Sequence, residues 1–370
     1  LRAVHISDSH LGYSAYSKLD VAEGINQRES DFYHAFQEAI DKTIELTPDF
    51  VIHSGDLFDT VRPQNRAIDF ALRQLIRLSE SGIETILISG NHSTPRLRET
   101  GNIFRIFEHL KHVHPVHEPG GKAITVGDAT IYAIPHSVSP SLSEITTGLK
   151  PTRDTRLSVL ALHAGIADSN TYKMDEFNEQ TVAFSNIDSE WDYVALGHYH
   201  EFKELGKMIC YAGSTERLSF GEAGQKKGIV EVDLDAHKVT FHELKVRDML
   251  DMDVLDAANL TSSEILRDAR DKISSSSIDE KVVRLVIKNV APDAYRALDM
   301  PAIRKLGTSA LHFDLRVDRV DVAGEKQTGD TQIGLLADEF KKYVISLDMA
   351  DDKKNRLMEM GLPYLTKGEE

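Results

Sequence analysis

The sequence predicts a layered α/β sandwich joined to a smaller α+β unit. Three observations carry that prediction. The first part of the chain alternates short apolar runs with amphipathic helical segments. Strand-rich sequence follows it, and near residues 246–262 the texture changes, with Asp248, Asp251, Asp253 and Asp256 crowding a short stretch. At ~100–200 residues per domain, 370 residues make two or three domains. The boundaries are drawn at 1–247, 248–325 and 326–370.

The elements follow in order. Ala3–Ser7 reads as a strand. Arg28–Leu46 carries Phe32, Phe36, Ile40 and Ile44 at helical spacing. Asp49–Ser54 is a strand, Asn65–Ser79 a helix, Glu84–Ser89 a strand and Asn102–Leu110 a short helix. Lys122–Val126 and Thr130–Ile134 flank Gly127-Asp128, a hairpin turn. Leu157–Leu162, Tyr193–Leu196, Met208–Ala212, Gly228–Leu234 and Lys238–Leu244 are further strands. The second unit comprises helix Ser263–Ile273, strand Lys281–Lys288, a short helix near Pro301–Leu306 and strand Ala310–Arg316. Gly324–Gly329 reads as a linker, and Gln332–Ile345 and Asp351–Met360 as helices.

Composition bounds the function. Hydrophobic residues at 41% and charged residues at 28% exclude wholesale disorder. No apolar run approaches the ~18 residues of a membrane helix. Leu1–Ile6 reads as a strand and not a signal peptide. The single cysteine, Cys210, excludes an internal disulfide framework. The expectation is a cytoplasmic chain with no membrane partner. A net charge of −16 argues against a broadly basic DNA-binding surface. It leaves room for a nucleic-acid enzyme that meets phosphate through a local basic stripe or bound cations.

Five pieces share one grammar: an apolar strand, then polar groups in the loop at its C-terminal end. They are Ile6-Ser7-Asp8-Ser9-His10, Ser54-Gly55-Asp56, Ser89-Gly90-Asn91-His92, Leu162-His163-Ala164-Gly165 and Leu196-Gly197-His198-Tyr199-His200. Open α/β sheets place their sites at such strand ends. A single Asp-x-His or Gly-Asp is usually a solvated turn; five together, each after a strand, point to a dinuclear metal site. Two divalent cations ~3.5–4 Å apart need several ligands each and a shared anionic bridge. Asp8 with His10, and His198 with His200, stand two apart and can face one way. Asp56 is the natural bridge, Asn91 offers a neutral oxygen and His163 completes the set. Mixed N and O ligands suit Mn²⁺, Fe²⁺ or Zn²⁺. Such cations activate a water and screen phosphate charge. His92 then stands at the rim, able to steady phosphate or protonate a leaving oxygen.

These motifs, in this order across residues 8–200, resemble the calcineurin-like metallophosphoesterases. Ser7–Gly12, Ser54–Asp59 and Ala212–Glu222 are similar to one branch, the Mre/SbcD-type double-strand-break repair nucleases of archaeal kind. The resemblance implies a two-sheet sandwich flanked by helices, with a smaller α+β DNA-binding capping domain. It implies that Asp8, His10, Asp56, Asn91, His163, His198 and His200 hold two Mn²⁺ ions, other divalent metals being possible, and that His92 is catalytic. It further implies an exo- and endonuclease that forms a homodimer, binds DNA and works with an ABC-type ATPase bearing a long coiled coil. In many members a second catalytic histidine stands three residues after the bridging Asp; here it is Asp59, which either orients a neighbour or takes part in catalysis. Ser93 replaces the acid that often follows Gly-Asn-His.

Outside the motifs, Arg62, Arg96 and Arg98 are the best local DNA phosphate contacts, while Arg73 and Arg77 read as an ordinary solvated face. His109, His112, His114 and His117 lack an interleaved Asp or Cys and read as surface residues. His5 and His53 read as core histidines. Lys226-Lys227 reads as a phosphate contact or a solvated turn. The apolar surface of 65–79 and 102–110 reads as core packing or as the dimer contact the family implies. The C-terminal helices would dock on the cap or begin an ATPase-binding arm, and the chain reads as a trimmed piece. The rival functions are a small-molecule or cyclic-nucleotide phosphoesterase and a non-catalytic repair scaffold.

Overall fold

A computed structural model describes residues 1–95, 101–152, 154–167, 180–187 and 191–320, with isolated positions at 344, 353–354 and 356–358. The predicted linker at 324–329 lies outside the described residues, as do the predicted helices at 332–345 and 351–360 apart from those isolated positions. The chain divides into two compact units, Leu1–Asp318 and Arg319–Glu370.

Two six-stranded sheets form the larger part of the first unit. One runs Lys238–Glu243, Gly228–Asp233, Arg2–Ile6, Phe50–His53, Glu84–Ile88, Val113–Val116. The other runs Lys203–Gly206, Ile209–Tyr211, Tyr193–Gly197, Leu157–His163, Ala129–Ile134, Lys122–Val126. Each has a parallel centre and at least one antiparallel edge. Parallel strands covered on both faces read as near-continuous apolar runs. Side chains alternate between those faces. Ala3, Phe50, Ile52, Ile86 and Ile88 pack toward Ile131, Ala133, Val159, Ala161 and Ala195 of the second sheet. Val4, Ile6, Val51 and Leu87 pack instead with Phe36, Ile40, Leu75 and Leu78 of the helices Gln27–Leu46 and Asn65–Glu80. Asn26 caps the first helix, its side chain accepting from the backbone of Arg28 and Glu29.

The predicted hairpin forms: Val126 pairs with Ala129 across Gly127, whose φ is +54°. The short helix predicted at 102–110 forms as a 3₁₀ helix, Ile103–His109. Phe104 and Phe107 are three apart and both fully buried. Three residues per turn stacks them directly above one another on one face.

The acidic stretch at 248–256 folds as strands. Met249–Asp251 and Leu255–Asp256 both run parallel to Val282–Val290, which also pairs with His312–Arg319. Helices Ser262–Ser274, Pro292–Ala297 and Met300–Leu306 cover this small sheet over a core of its own, including Ile265, Ala269, Val283, Leu285, Ile287 and Ile303. Polar contacts tie it to the large sandwich. Arg247 donates to both carboxylate oxygens of Asp31, at 2.6 and 2.8 Å, and buried Arg28 donates to Asp31 at 2.7 Å. Backbone Arg247 N donates to buried Glu216 at 3.1 Å. Tyr16 stacks on His312 with ring centroids 3.8 Å apart, and Arg284 lies over Phe220 at 4.5 Å.

Arg247→Ala removes one of the two guanidiniums on Asp31 and leaves a nearly buried carboxylate under-compensated. Removing one member of a buried pair costs about 3–5 kcal/mol. Arg247 is partly exposed, so about 2–3 kcal/mol is expected, read as a lower urea midpoint. An unchanged midpoint would show that Arg28 and Gln27 together satisfy Asp31.

Candidate metal centre

The five loops meet where strands of both sheets end. Strand pairing continues past the strands and fixes two of the loops together. Asp8 N donates to Gly55 O at 3.0 Å, His10 N to Asp56 O at 3.0 Å and Leu11 N to Leu57 O at 2.8 Å. These bonds hold Asp8, His10 and Asp56 at φ +49°, +41° and +47°, a left-handed region that costs energy without glycine. His198 lies at φ +99°. The motif glycines are steric requirements. A Cβ on Gly90 would stand 2.2 Å from Asp56 Oδ1, and one on Gly55 2.1 Å from His163 Nδ1.

Every predicted site residue within the described residues, Arg62 aside, converges here. Asp8, His10 and His200 bring ligand atoms within 4.8 Å of one another, and so do Asp8, Asp56 and His163. Asp8 belongs to both of these groups, and Asp56, the expected bridge, stands in the second beside His163. Asp56 divides its oxygens: Oδ1 accepts from His92 N at 3.0 Å, and Oδ2 faces His163 Nε2 at 3.0 Å. Asn91 Oδ1 lies 2.8 Å from His163 Nε2. His198 donates its backbone N to Asp8 at 3.1 Å, and its ring meets that of His163 edge-on. His10, Asp59 and His92 form a third group. Arg62 is exposed and makes no ion pair among the described residues. Arg96 and Arg98 lie outside them.

Four of the imidazoles share one orientation rule. His10 Nδ1 is 3.2 Å from Asp59 Oδ1, and His92 Nδ1 is 2.7 Å from Asp59 O. His163 Nδ1 is 2.9 Å from Ser54 O, and His200 Nδ1 is 3.0 Å from Glu222 Oε1. Each Nδ1 faces an oxygen acceptor and so carries the proton. That leaves Nε2 as the donor atom for a metal.

Charge compensation is incomplete with protein groups alone. Burial pushes Asp8 upward against the pull of His163 and His200. Burial also opposes ionisation of Asp56, yet His163, His10 and His92 hold it far below the usual carboxylate range. His163, despite burial, is raised to about 9 by Asp56 and Asp8. A divalent cation would take the place of that proton. His10 Nε2 is buried and meets no hydrogen-bond partner among the described residues, which is costly unless a ligand is there. Nitrogen and carboxylate donors without thiolate fit a cation of intermediate hardness.

Two groups escaped sequence reasoning. Glu222 and Lys227 are buried beside His200, with Lys227 Nζ 2.6 Å from Glu222 Oε2. Lys227 is therefore neither a solvated turn nor a phosphate contact. Its only sequence signal was proximity to the Ala212–Glu222 motif. Elsewhere His5 bonds Tyr193 and Ser54, and His53 bonds Ser9, inside the core. His112 and His114 both close on Glu84. Arg73 and Arg77 pair with Asp69 and Asp41.

Residues 1–202 match the model of the calcineurin-like phosphoesterase family. The chain is 27% identical over 346 residues to the DNA double-strand break repair protein Mre11 of Sulfurisphaera tokodaii, covering 90% of this chain and 84% of that one. It is 27% identical to the protein of that name from Methanococcus maripaludis, covering 68% of each. To that of Thermoplasma acidophilum it is 31% identical, covering 66% of this chain and 65% of that one. No helix among the described residues is long and apolar enough to cross a membrane. The matched segment spans more than half of the 370 residues and contains every convergent loop, so the chain belongs to the calcineurin-like phosphoesterase family.

Proposed function

We propose that this chain is a metal-dependent DNA nuclease of double-strand-break repair, acting in the cytoplasm on phosphodiester bonds with two Mn²⁺ ions. The observation that carries the reading is the pair of ligand groups sharing Asp8, with His92 beside them. Asp8, His10, Asp56, Asn91, His163, His198 and His200 would hold the cations. When bound, they supply Lewis acidity toward phosphate and lower the pKa of an attacking water. The chain's own groups do the rest. Asp59 holds His10 by its carboxylate and His92 by its backbone carbonyl. The Nδ1 proton of His92 is thereby fixed, and Nε2 is the atom that exchanges a proton with the leaving oxygen. Asp56 accepts from His92 N and keeps that residue at the rim.

DNA is the favoured substrate because the similar proteins carry a break-repair name and a second folded layer stands against Tyr16 and Phe220, close after the motif loops. Arg62, with Arg96 and Arg98, would contact the backbone. A homodimer through the helices at 65–80 and 103–109, and an ABC-type ATPase with a long coiled coil, complete the proposed assembly. Ile68, Phe70, Ile103 and Ile106 are only partly buried, which supports the dimer face.

On linear duplex DNA, Mn²⁺ supports cleavage and a chelator abolishes it. His92→Ala lowers kcat by about 10²–10⁴-fold while metal content by elemental analysis is unchanged. Faster turnover of a nitrophenyl phosphodiester or a nucleotide than of DNA would favour the small-molecule reading, and full repair function with His92→Ala the scaffold reading. Asp59→Ala weakens Mn²⁺ binding by about tenfold or more in calorimetric titration, because His10 loses its orienting acceptor. DNA affinity falls steeply with salt, and Arg62→Ala reduces the slope of log affinity against log salt by ~0.9, the value of one phosphate contact. An unchanged slope removes Arg62 from the DNA path.

A further inference from the structure

We propose that Glu222, clamped by buried Lys227, is a positioning residue that fixes His200 for metal binding through Nε2; this rests on the metal-centre reading above. Both residues lie beyond the segment that matches the family model. Glu222 is 7% exposed and Lys227 1%. Glu222 Oε1 accepts from His200 Nδ1 at 3.0 Å, while Oε2 accepts from Lys227 Nζ at 2.6 Å. Lys227 Nζ also donates to His200 O at 2.8 Å and to Gln225 Oε1 at 3.1 Å. Ser214 N donates to the same His200 carbonyl at 3.0 Å. His200 is thus held at its ring by Glu222 and at its backbone by Lys227 and Ser214.

Stability does not account for this arrangement. A buried ion pair loses solvation that its own attraction repays poorly, and apolar residues of equal volume are often as stable or more so. The pair instead touches a single functional group at two points. Lys227 satisfies one Glu222 oxygen and leaves the other for the imidazole. With Nδ1 protonated and pinned, the His200 Nε2 lone pair is available to the group that contains Asp8 and His10. Acceptors behind ligating histidines typically change metal affinity by about 10–100-fold.

Calorimetric titration of the full chain with MnCl₂ tests this, together with ¹⁵N histidine spectra of the Zn²⁺-loaded chain. Glu222→Gln is expected to keep the wild-type stoichiometry and weaken one binding step by about 10–100-fold. Lys227→Met is expected to weaken the same step. In the wild-type spectra His200 should carry its proton on Nδ1 and its metal-shifted resonance on Nε2. Wild-type affinity in both variants with lowered unfolding midpoints would make the pair merely structural and overturn the inference. A wild-type His200 metallated at Nδ1 would overturn it whether or not the variants fold. A wild-type chain that binds no Mn²⁺ or Zn²⁺ overturns the metal reading and this inference with it, and is distinct from a variant-only loss.

Discussion

Two buried carboxylates, Asp8 and Asp56, impose the constraint on which the site depends. Neither is more than 1% exposed. Bringing an ion out of water costs several kcal/mol even after relaxation. Among the described residues, five histidines, His10, His92, His163, His198 and His200, and no lysine or arginine stand within hydrogen-bond or ring-contact reach of the pair. Neutral imidazoles cannot cancel two negative charges. The interior therefore either takes up protons, as the basicity of His163 indicates, or takes up cations. A cation does better, since it replaces a proton shared by a few atoms with bonds to several ligands at once.

That electrostatic demand explains the backbone. Asp8, His10 and Asp56 in left-handed conformations, each costing of order 1–3 kcal/mol, persist because the 8–11 and 55–58 loops bond to each other as an extension of the parallel sheet. Glycines at 55, 90 and 197 admit neighbouring loops closer than any side chain would allow; a Cβ on Gly197 would lie 2.2 Å from Ser54 O. Strain, close approach and buried charge all fall on the same few residues, and rigid sheets on both sides over-determine their positions.

Much of this was legible in the sequence. The loops of the candidate site are short, follow apolar strands and carry residue types with few other uses there, so the convergence of Asp8, His10, Asp56, Asn91, His163, His198 and His200 could be expected from their spacing. The sheet strands were readable for the same reason, burial on both faces making them continuous apolar runs. Less legible were features decided by tertiary partners. Phe104 and Phe107 suit either helical period until the core demands both on one face. The acids at 249–256 look like a solvated junction, and only Val282–Val290 turns them into strands. Glu222 and Lys227 look like any exposed pair, because burial of a charge is a property of what surrounds it and leaves no mark in local spacing.

Asp59 shows how such a site sets its electrostatic balance at the rim. Its carboxylate sits 3.2 Å from His10 Nδ1 and its carbonyl 2.7 Å from His92 Nδ1. A histidine side chain at this position could offer a proton to phosphate; an aspartate cannot, and adds negative charge where a phosphodiester would approach. Two unit charges 4 Å apart interact by about 1 kcal/mol in water and about 4 kcal/mol at an effective dielectric of 20. The chain as a whole carries −16, so neither the rim nor the distant field draws DNA in. On the nuclease reading, attraction must come from the bound cations and from exposed guanidiniums such as Arg62. The Asp59 carboxylate holds His10 and offers no positive charge to a substrate. On that reading phosphate binding depends on metal binding, because the cations would be the main positive charge that the substrate meets.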